Sequence, residues 1–532
     1  MRTYFHYLFA GLILLLTACQ TDNPTPTETP FSFELNTDVQ IAPLDGRKPL
    51  DRAAIDRLAY EALYDKGEFN WDDVDAYVAW SAVVASDGIV AVGYQPAGFQ
   101  NINERIHEID VNAAEWKAVR QALMQFIVDE TNRLHPDKKV GVEDLVVLGE
   151  KELPYFAVRL TDYETLAKLR EMDVVRYAEP MGYGYEEPQA TRSGSGCGGG
   201  PPSGSISTND FVNISPSNTK LSWQMRSNAT EKIESAWGQG ARGQGITVGL
   251  IDTGVGPNQS KLGSGFASGQ STGRYIQRYG TYQTGWWWWK SYDGPNDQCG
   301  HGTTMASLIA APRAGSGAVV GSAYQANLIS VRGTSDVVIN GSNEKDGVAE
   351  ALVLLGNRSD VRIISMSIGD IFSSGVVKDG VRFANNKGKI LYAAAGTSTT
   401  FTNWVGVIFP ASMNETVAVT GIKTGSGYSR CNICHSGSKV DFVVVMQDRN
   451  NSDRTTLTLH TSGNKPRYTS GSSAATATMA GMTAQLWSKY PTWSKTQILN
   501  RLKQATEFYP NRNSQYGYGK INLLNAVTGQ NL

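Results

Sequence analysis

Between Ala113 and Leu134 apolar residues recur at three- and four-residue spacing. Trp116, Val119, Leu123 and Phe126 fall on one side, which predicts an amphipathic helix lying against a sheet. Short apolar runs surround it. Ile89 to Tyr94, Asp144 to Gly149, Tyr155 to Leu160 and Val174 to Ala178 read as strands, with a second helix from Tyr163 to Met172. The order is βαββαβ, which predicts a ferredoxin-like α+β plait. Upstream, residues 35–87 read as helical material with a hairpin turn at Ser86-Asp87-Gly88, and no role attaches to them. The second half has a different texture. Ile246-Thr247-Val248-Gly249-Leu250-Ile251 is apolar almost throughout, as expected of a parallel strand buried on both faces, and it ends on Asp252. Small and apolar residues follow His301 as far as Ala311 and follow Ser473 as far as Met482, and both stretches suit buried helices. This half therefore reads as α/β.

Asp252, His301 and Ser473 are the candidate chemistry. Each sits among small residues, in Asp252-Thr253-Gly254, Gly300-His301-Gly302-Thr303 and Gly471-Ser472-Ser473-Ala474. Acyl transfer at neutral pH needs a hydroxyl activated by an imidazole, and an imidazole held in one tautomer by a carboxylate. Ser473 opens its helix, where unpaired backbone N–H groups favour developing negative charge. One such segment means little in a chain with 55 glycines, so the argument rests on all three in this order and context.

With these motifs the chain resembles the subtilisin-like serine peptidases, the subtilases, over roughly Thr219 to Val527. Ile233-Glu234-Ser235-Ala236-Trp237 upstream of Gly243-Gln244-Gly245 agrees with the family's lead-in to its first strand. The resemblance implies a three-layer α/β domain with a mainly parallel sheet. It implies Ser473 as nucleophile, His301 as general base and acid, and Asp252 as the group that orients His301. Arg362 to Gly369 is similar to the strand whose edge pairs with substrate, so Ser367, Ile368 and Gly369 are the expected peptide-binding positions. Ile390 to Thr397 is similar to the segment that carries the oxyanion donor. The family has Asn where this chain has Thr397, a shorter donor. Ile408 stands where the family often has Gly in the pocket for the residue before the scissile bond, which implies a preference for small or medium apolar residues. Leu166 to Pro180 resembles the close of the subtilase propeptide, an intramolecular inhibitor and folding aid. Residues 88–183 are therefore expected to be that domain.

Met1-Arg2-Thr3, the apolar stretch Tyr7 to Leu16 and Leu16-Thr17-Ala18-Cys19 read as a secretory signal ending in a bacterial lipobox, with Cys19 as the lipidated residue. This predicts a cell-envelope lipoprotein held to a membrane through Cys19, at the outer membrane or cell surface. Thr21 to Pro30 is a stiff Pro/Thr spacer. Ser193 to Ser205 is a Gly/Ser/Pro linker that cannot pack a core, and maturation cleavage is expected between Met181 and Asn209. Such a cut would part the peptidase from its lipid or leave it held by an anchored inhibitor; the third option is that no cut occurs and the linker only connects the domains. The organisation is then a signal peptide (1–18), spacer (19–34), extension (35–87), propeptide-like domain (88–183), linker (184–214) and peptidase (215–532).

Net charge is -2 and charged residues make up 18%, so no basic face marks a nucleic-acid binder. Cys197, Cys299, Cys431 and Cys434 allow three pairings, which the sequence leaves open. Cys431 and Cys434 read as a local disulfide or free thiols. Trp286 to Trp289 lies between Asp252 and His301 and is a candidate substrate contact. No cofactor is expected. Structural calcium occurs in the family, but no acidic loop here has ligand spacing. Three functions remain open: an endopeptidase hydrolysing protein substrates, a catalytically impaired binding lipoprotein of the same fold, and a transamidase of the same chemistry.

Overall fold

The computed structural model describes residues 33–149, 151–184, 197, 206–216, 218–285, 290–397 and 406–532. The segment expected to be a signal peptide, Cys19, most of the expected spacer and linker, and Trp286 to Trp289 lie outside the described residues.

Helices α1 (Arg52–Lys66) and α2 (Ala76–Val84) open the N-terminal half. Asp51 and Asp75 cap them by accepting from the N–H groups of Ala54 and Val78. Ser86 Oγ then donates to the Ala82 carbonyl at 2.8 Å, and Gly88 at φ +74° turns the chain straight into strand β1 (Ile89–Tyr94). The hairpin expected at Ser86-Asp87-Gly88 is thus a helix-to-strand turn. Next come α3 (Ala114–Leu134), β2 (Val146–Leu148), β3 (Tyr155–Arg159), α4 (Tyr163–Arg170) and β4 (Val175–Pro180). They form an antiparallel sheet in the order β2-β3-β1-β4, the ferredoxin-like plait. Strand β2 is shorter than expected because Val142–Leu145 coils into a helical turn.

Strand alternation splits this sheet into two faces. Val90, Val92, Phe156 and Val158 pack under α2, α3 and α4. Ile89, Ala91, Tyr155 and Ala157 instead meet Ala349, Val353, Val376 and Phe383 of the C-terminal half.

The C-terminal half contains β5 (Thr247–Asp252), β6 (Ile276–Gly280), α5 (His301–Ala310), β7 (Asn327–Arg332), α6 (Ser342–Asn357), β8 (Val361–Met366), α7 (Gly375–Asn386), β9 (Ile390–Ala394), β10 (Val417–Lys423), β11 (Phe442–Gln447) and α8 (Gly471–Lys489). Its main sheet has seven strands, all parallel, in the order β11-β10-β9-β8-β5-β7-β6, and three short antiparallel strand pairs lie outside that sheet. Neighbouring residues again face opposite ways. Val248, Leu250, Ile363 and Tyr392 join α5 and α8 in one core, while Ile251, Ile364 and Leu391 join α6 and α7 in the other. The domain is a three-layer α/β structure.

The plait sits on α6 and α7. Arg176 donates to both oxygens of Asp379 at 2.7 Å, and Tyr177 donates to the same carboxylate at 3.0 Å. Glu179 accepts from Gly375 N–H at 2.7 Å, at the positive end of α7. The extension does not form a unit of its own. Ile55, Leu63, Phe69 and Trp71 close over Tyr183 on one side and over Ile371 and Phe372 of the peptidase on the other. Asn70 accepts from Ser373 Oγ at 2.8 Å.

Candidate active site

Strand β5 delivers Asp252 at its C-terminal end, and α5 begins on His301. Asp252 Oδ1 lies 2.8 Å from His301 Nδ1 and also accepts from Thr253 N–H at 2.8 Å. Both side chains are buried. The close approach of α5 to β5 depends on Gly302, since a Cβ there would run into the Gly254 carbonyl and sit 3.2 Å from Asp252 Oδ1. This is the physical reason for a small residue beside His301.

Asp297, which the sequence reading passed over, fixes the start of α5. Its carboxylate accepts from the N–H groups of Cys299 (2.9 Å), Gly300 (2.6 Å) and Thr303 (2.9 Å), and from Thr253 Oγ1 (2.9 Å). Thr253 Oγ1 accepts in turn from Gly302 N–H at 2.9 Å. One buried carboxylate therefore ties the Asp252 segment to the His301 segment. A carboxylate four residues before a helix-opening His was the signal available in the sequence.

Burial opposes a charge on His301, but the Asp252 carboxylate and its hydrogen bond outweigh that and raise the imidazole above its ordinary 6.5. Only the neutral ring can take a proton from a hydroxyl. If His301 is the base, activity is expected to fail, as pH drops, through a value above 6.5. Asp252→Asn should move that acid limb of kcat/KM downward while lowering kcat about 10⁴-fold. A limb that stays in place in the Asn variant would remove Asp252 from the role.

Ser473 is the third residue of α8, a helix whose N-cap Ser470 makes no side-chain cap, so the first-turn N–H groups point out without a capping acceptor. Ser473 Oγ donates to the Ser367 carbonyl at 3.4 Å, while Ser367 Oγ donates to the Ser473 carbonyl at 3.0 Å. The hydroxyl is thus parked on the residue just after β8 rather than on His301. Helices α5 and α8 pack on each other on one face of the sheet, each with its N-terminus toward the strands' C-terminal ends. Asp252, His301, Ser367 and Ser473 gather there.

Thr397 follows β9 and meets the start of α8, its Oγ1 lying 3.0 Å from Ser472 Oγ. Ser367, Ile368 and Gly369 are all buried. Gly369 gives its N–H to the Val337 carbonyl at 3.0 Å and takes the Ile339 N–H at 3.2 Å. The expected open strand edge is therefore already occupied at Gly369, by the segment leading into α6. Ile408 is partly buried beside Gly369, whose added Cβ would meet its Cδ1 at 2.9 Å, and it packs against the core of the N-terminal extension. It thus borders the position expected of it from two sides.

The cysteines pair as Cys197–Cys299 and Cys431–Cys434. The first bond ties the linker to a residue two positions before His301, which no spacing argument could have chosen. Among the described residues, no three His, Cys, Asp or Glu side chains gather as a metal site.

The model of the subtilase family matches residues 243–519. Among curated proteins, the chain is 28% identical over 297 residues to a thermophilic serine proteinase of Bacillus sp. (strain AK1), covering 55% of this chain and 64% of that protein, just under two thirds of its length. It is 28% identical over 310 residues to subtilisin DY of Bacillus licheniformis, covering 56% of this chain and 96% of that one. Among solved structures, a protease of Pseudoalteromonas arctica matches with a TM-score of 0.45 and 21% identity, over 57% of this chain and 94% of that one. With its parallel α/β sheet, its Asp252–His301 pair and a family match over more than half its length, the chain belongs to the subtilase family of serine peptidases.

Proposed function

We propose that the protein is a serine endopeptidase made as an envelope lipoprotein and kept latent by its own N-terminal half. Ser473 Oγ attacks the peptide carbonyl carbon as His301 takes its proton. The oxyanion is held by Ser473 N–H and the Thr397 hydroxyl. His301 then protonates the leaving amine, and water hydrolyses the acyl-enzyme by the same route in reverse. The observation that carries this reading is the 2.8 Å Asp252–His301 bond at the sheet end where the uncapped helix presents Ser473. Latency is supported by the plait and the extension, which together cover α6, α7 and the Ile371 to Ser374 segment. The Leu16 to Cys19 segment supports the lipid anchor.

The Cys197–Cys299 bond bears on how the anchor survives maturation. A cut in the Gly/Pro/Ser stretch that follows Cys197 leaves the two halves covalently joined through it. The cut protein is expected to run as one species without reductant and as two with it. Intact masses with and without reductant test this. Two species in both conditions would place the cut before Cys197 and leave the peptidase free of its anchor.

Burial pushes the Glu179 carboxyl up to about 7, against 4.5 ordinarily, with Lys378 acting the other way. The docked state therefore holds this proton more tightly than the undocked one. Docking should be strongest below about 4.5, weaken as pH climbs, and level off above about 7. Inhibition of the peptidase by its N-terminal half, measured across this range, is expected to show that slope. Glu179→Gln should flatten it, and an unaltered slope would assign it elsewhere.

A further inference from the structure

A hydroxyl reaches less far than the amide the family has at position 397, and the structure gives Thr397 a second hydroxyl as partner. Thr397 Oγ1 and Ser472 Oγ lie 3.0 Å apart, and Gly396 N–H donates to Ser472 Oγ at 3.2 Å. Ser472 is fully buried and directly precedes Ser473. A hydroxyl has one proton to give and two sites at which to accept. With Gly396 N–H on one acceptor site, Ser472 can give its proton to Thr397 Oγ1. Thr397 is then left with its own proton for a third partner. The result is a directed chain from backbone N–H through two hydroxyls, each donor polarising the next, that ends beside the nucleophile.

The loop of the Cys431–Cys434 disulfide holds this pair from behind. His435 N–H donates to the Gly396 carbonyl at 3.0 Å, and Thr397 bridges to Cys434 as an isolated antiparallel pair. Gly396 sits at φ +126°, and a Cβ there would run into the His435 ring. On the other side, a Cβ on Gly471 would meet Thr397 Oγ1 at 3.1 Å and Ile433 Cδ1 at 3.5 Å, and Ser470 Oγ donates to Cys431 Sγ at 3.8 Å. One small ring touches both segments that carry the hydroxyls, so their separation is set by the fold and not by two free rotors.

We propose that Ser472 is a positioning residue for the oxyanion donor: its hydroxyl orients the Thr397 hydroxyl toward the tetrahedral oxygen, so that a two-hydroxyl relay does the work of one amide. The proposal rests on the reading of Ser473 as nucleophile.

The test is kcat and KM on a peptide substrate for the full chain with its linker cut, alongside labelling of Ser473 by a fluorophosphonate. Ser472→Ala is expected to lower kcat about tenfold or more with KM within about twofold, and Ser472→Thr to restore most of it. Thr397→Val should lose more, and adding Ser472→Ala to it should cost nothing further. In a Thr397→Asn background, where an amide reaches unaided, Ser472→Ala should cost less than about twofold. A loss from Ser472→Ala of equal size in the Val or Asn background would show that Ser472 acts independently of Thr397, and would overturn the proposal. So would an unchanged kcat in a parent that labels. A parent that neither labels nor turns over would overturn the nucleophile reading, and this inference with it.

Discussion

Ser473→Ala is expected to abolish peptidase activity, by about six orders of magnitude in kcat, a size known from subtilisin, a member of this family. On the proposed mechanism the loss is that large because the hydroxyl would be the attacking atom, and the Asp252–His301 pair would have no proton to move without it. Ser473 lies at the start of a helix whose small side chains pack on β8, β9 and β10. Deleting one oxygen there should leave the fold and the melting temperature as they were. The check is turnover of a peptide substrate together with fluorophosphonate labelling. A variant that folds, fails to label and fails to cut confirms the assignment. An Ala variant that still cuts would mean that another group attacks. A parent as inactive as the variant, even after its N-terminal half has been removed, would favour the impaired-binding reading and make Thr397 the first suspect.

The sheet and its ligand end were legible in the sequence because parallel strands buried on both faces leave unbroken apolar runs. Ile246 to Ile251 and Ile390 to Ala394 are of this kind; the first runs straight into Asp252 and the second ends three residues before Thr397, both candidate site residues. The plait was legible for a different reason. Its strands are buried on both faces too, but the long helix Ala114–Leu134 carries a clear 3.6-residue stripe that fixed the order of elements. The extension was legible as helical, in Arg52–Lys66 and Ala76–Val84, but its packing partners were not. Its α1 buries only Ile55, Ala59 and Leu63, and the partners that make this worthwhile, Tyr183 and Phe372, lie more than a hundred residues away. Periodicity announces that a face is buried and is silent about what covers it. The same limit applies to the site. Asp252, His301 and Ser473 stood in local motifs, whereas the Ser472–Thr397 contact and the Cys197–Cys299 bond exist only once distant segments meet. Gly369 shows the limit from another side, since only the fold reveals that Val337 and Ile339 already use its backbone groups.

Arg176→Ala is expected to weaken docking of the N-terminal half about a hundred- to several-thousandfold, the equivalent of about 3–5 kcal/mol for breaking one side of a buried ion pair. Arg176 and Asp379 meet in two 2.7 Å bonds, and the Asp379 side chain has no exposure. Without Arg176 the carboxylate keeps only Tyr177 OH at 3.0 Å and a distant Arg382 at 3.9 Å, and it still cannot reach water while the halves are docked. Once they separate, Asp379 lies on the peptidase surface and is solvated. The penalty therefore falls on docking and spares the fold of the peptidase. Exposed pairs should behave otherwise. Arg133 and Glu164 also meet at 2.7 Å, but both belong to the plait and each is about half exposed, so Arg133→Ala, which leaves the docked surface untouched, should shift docking less than about threefold. The measurement is the inhibition constant of the N-terminal half against the peptidase after the linker is cut and Cys197–Cys299 reduced. Replacing both partners with apolar residues, as in Arg176→Met with Asp379→Leu, should recover much of the loss, because no charge is then left buried alone. An unchanged inhibition constant in Arg176→Ala would mean that the apolar contacts of Tyr155, Tyr177 and Met181 carry the latch and that the ion pair only sets its register.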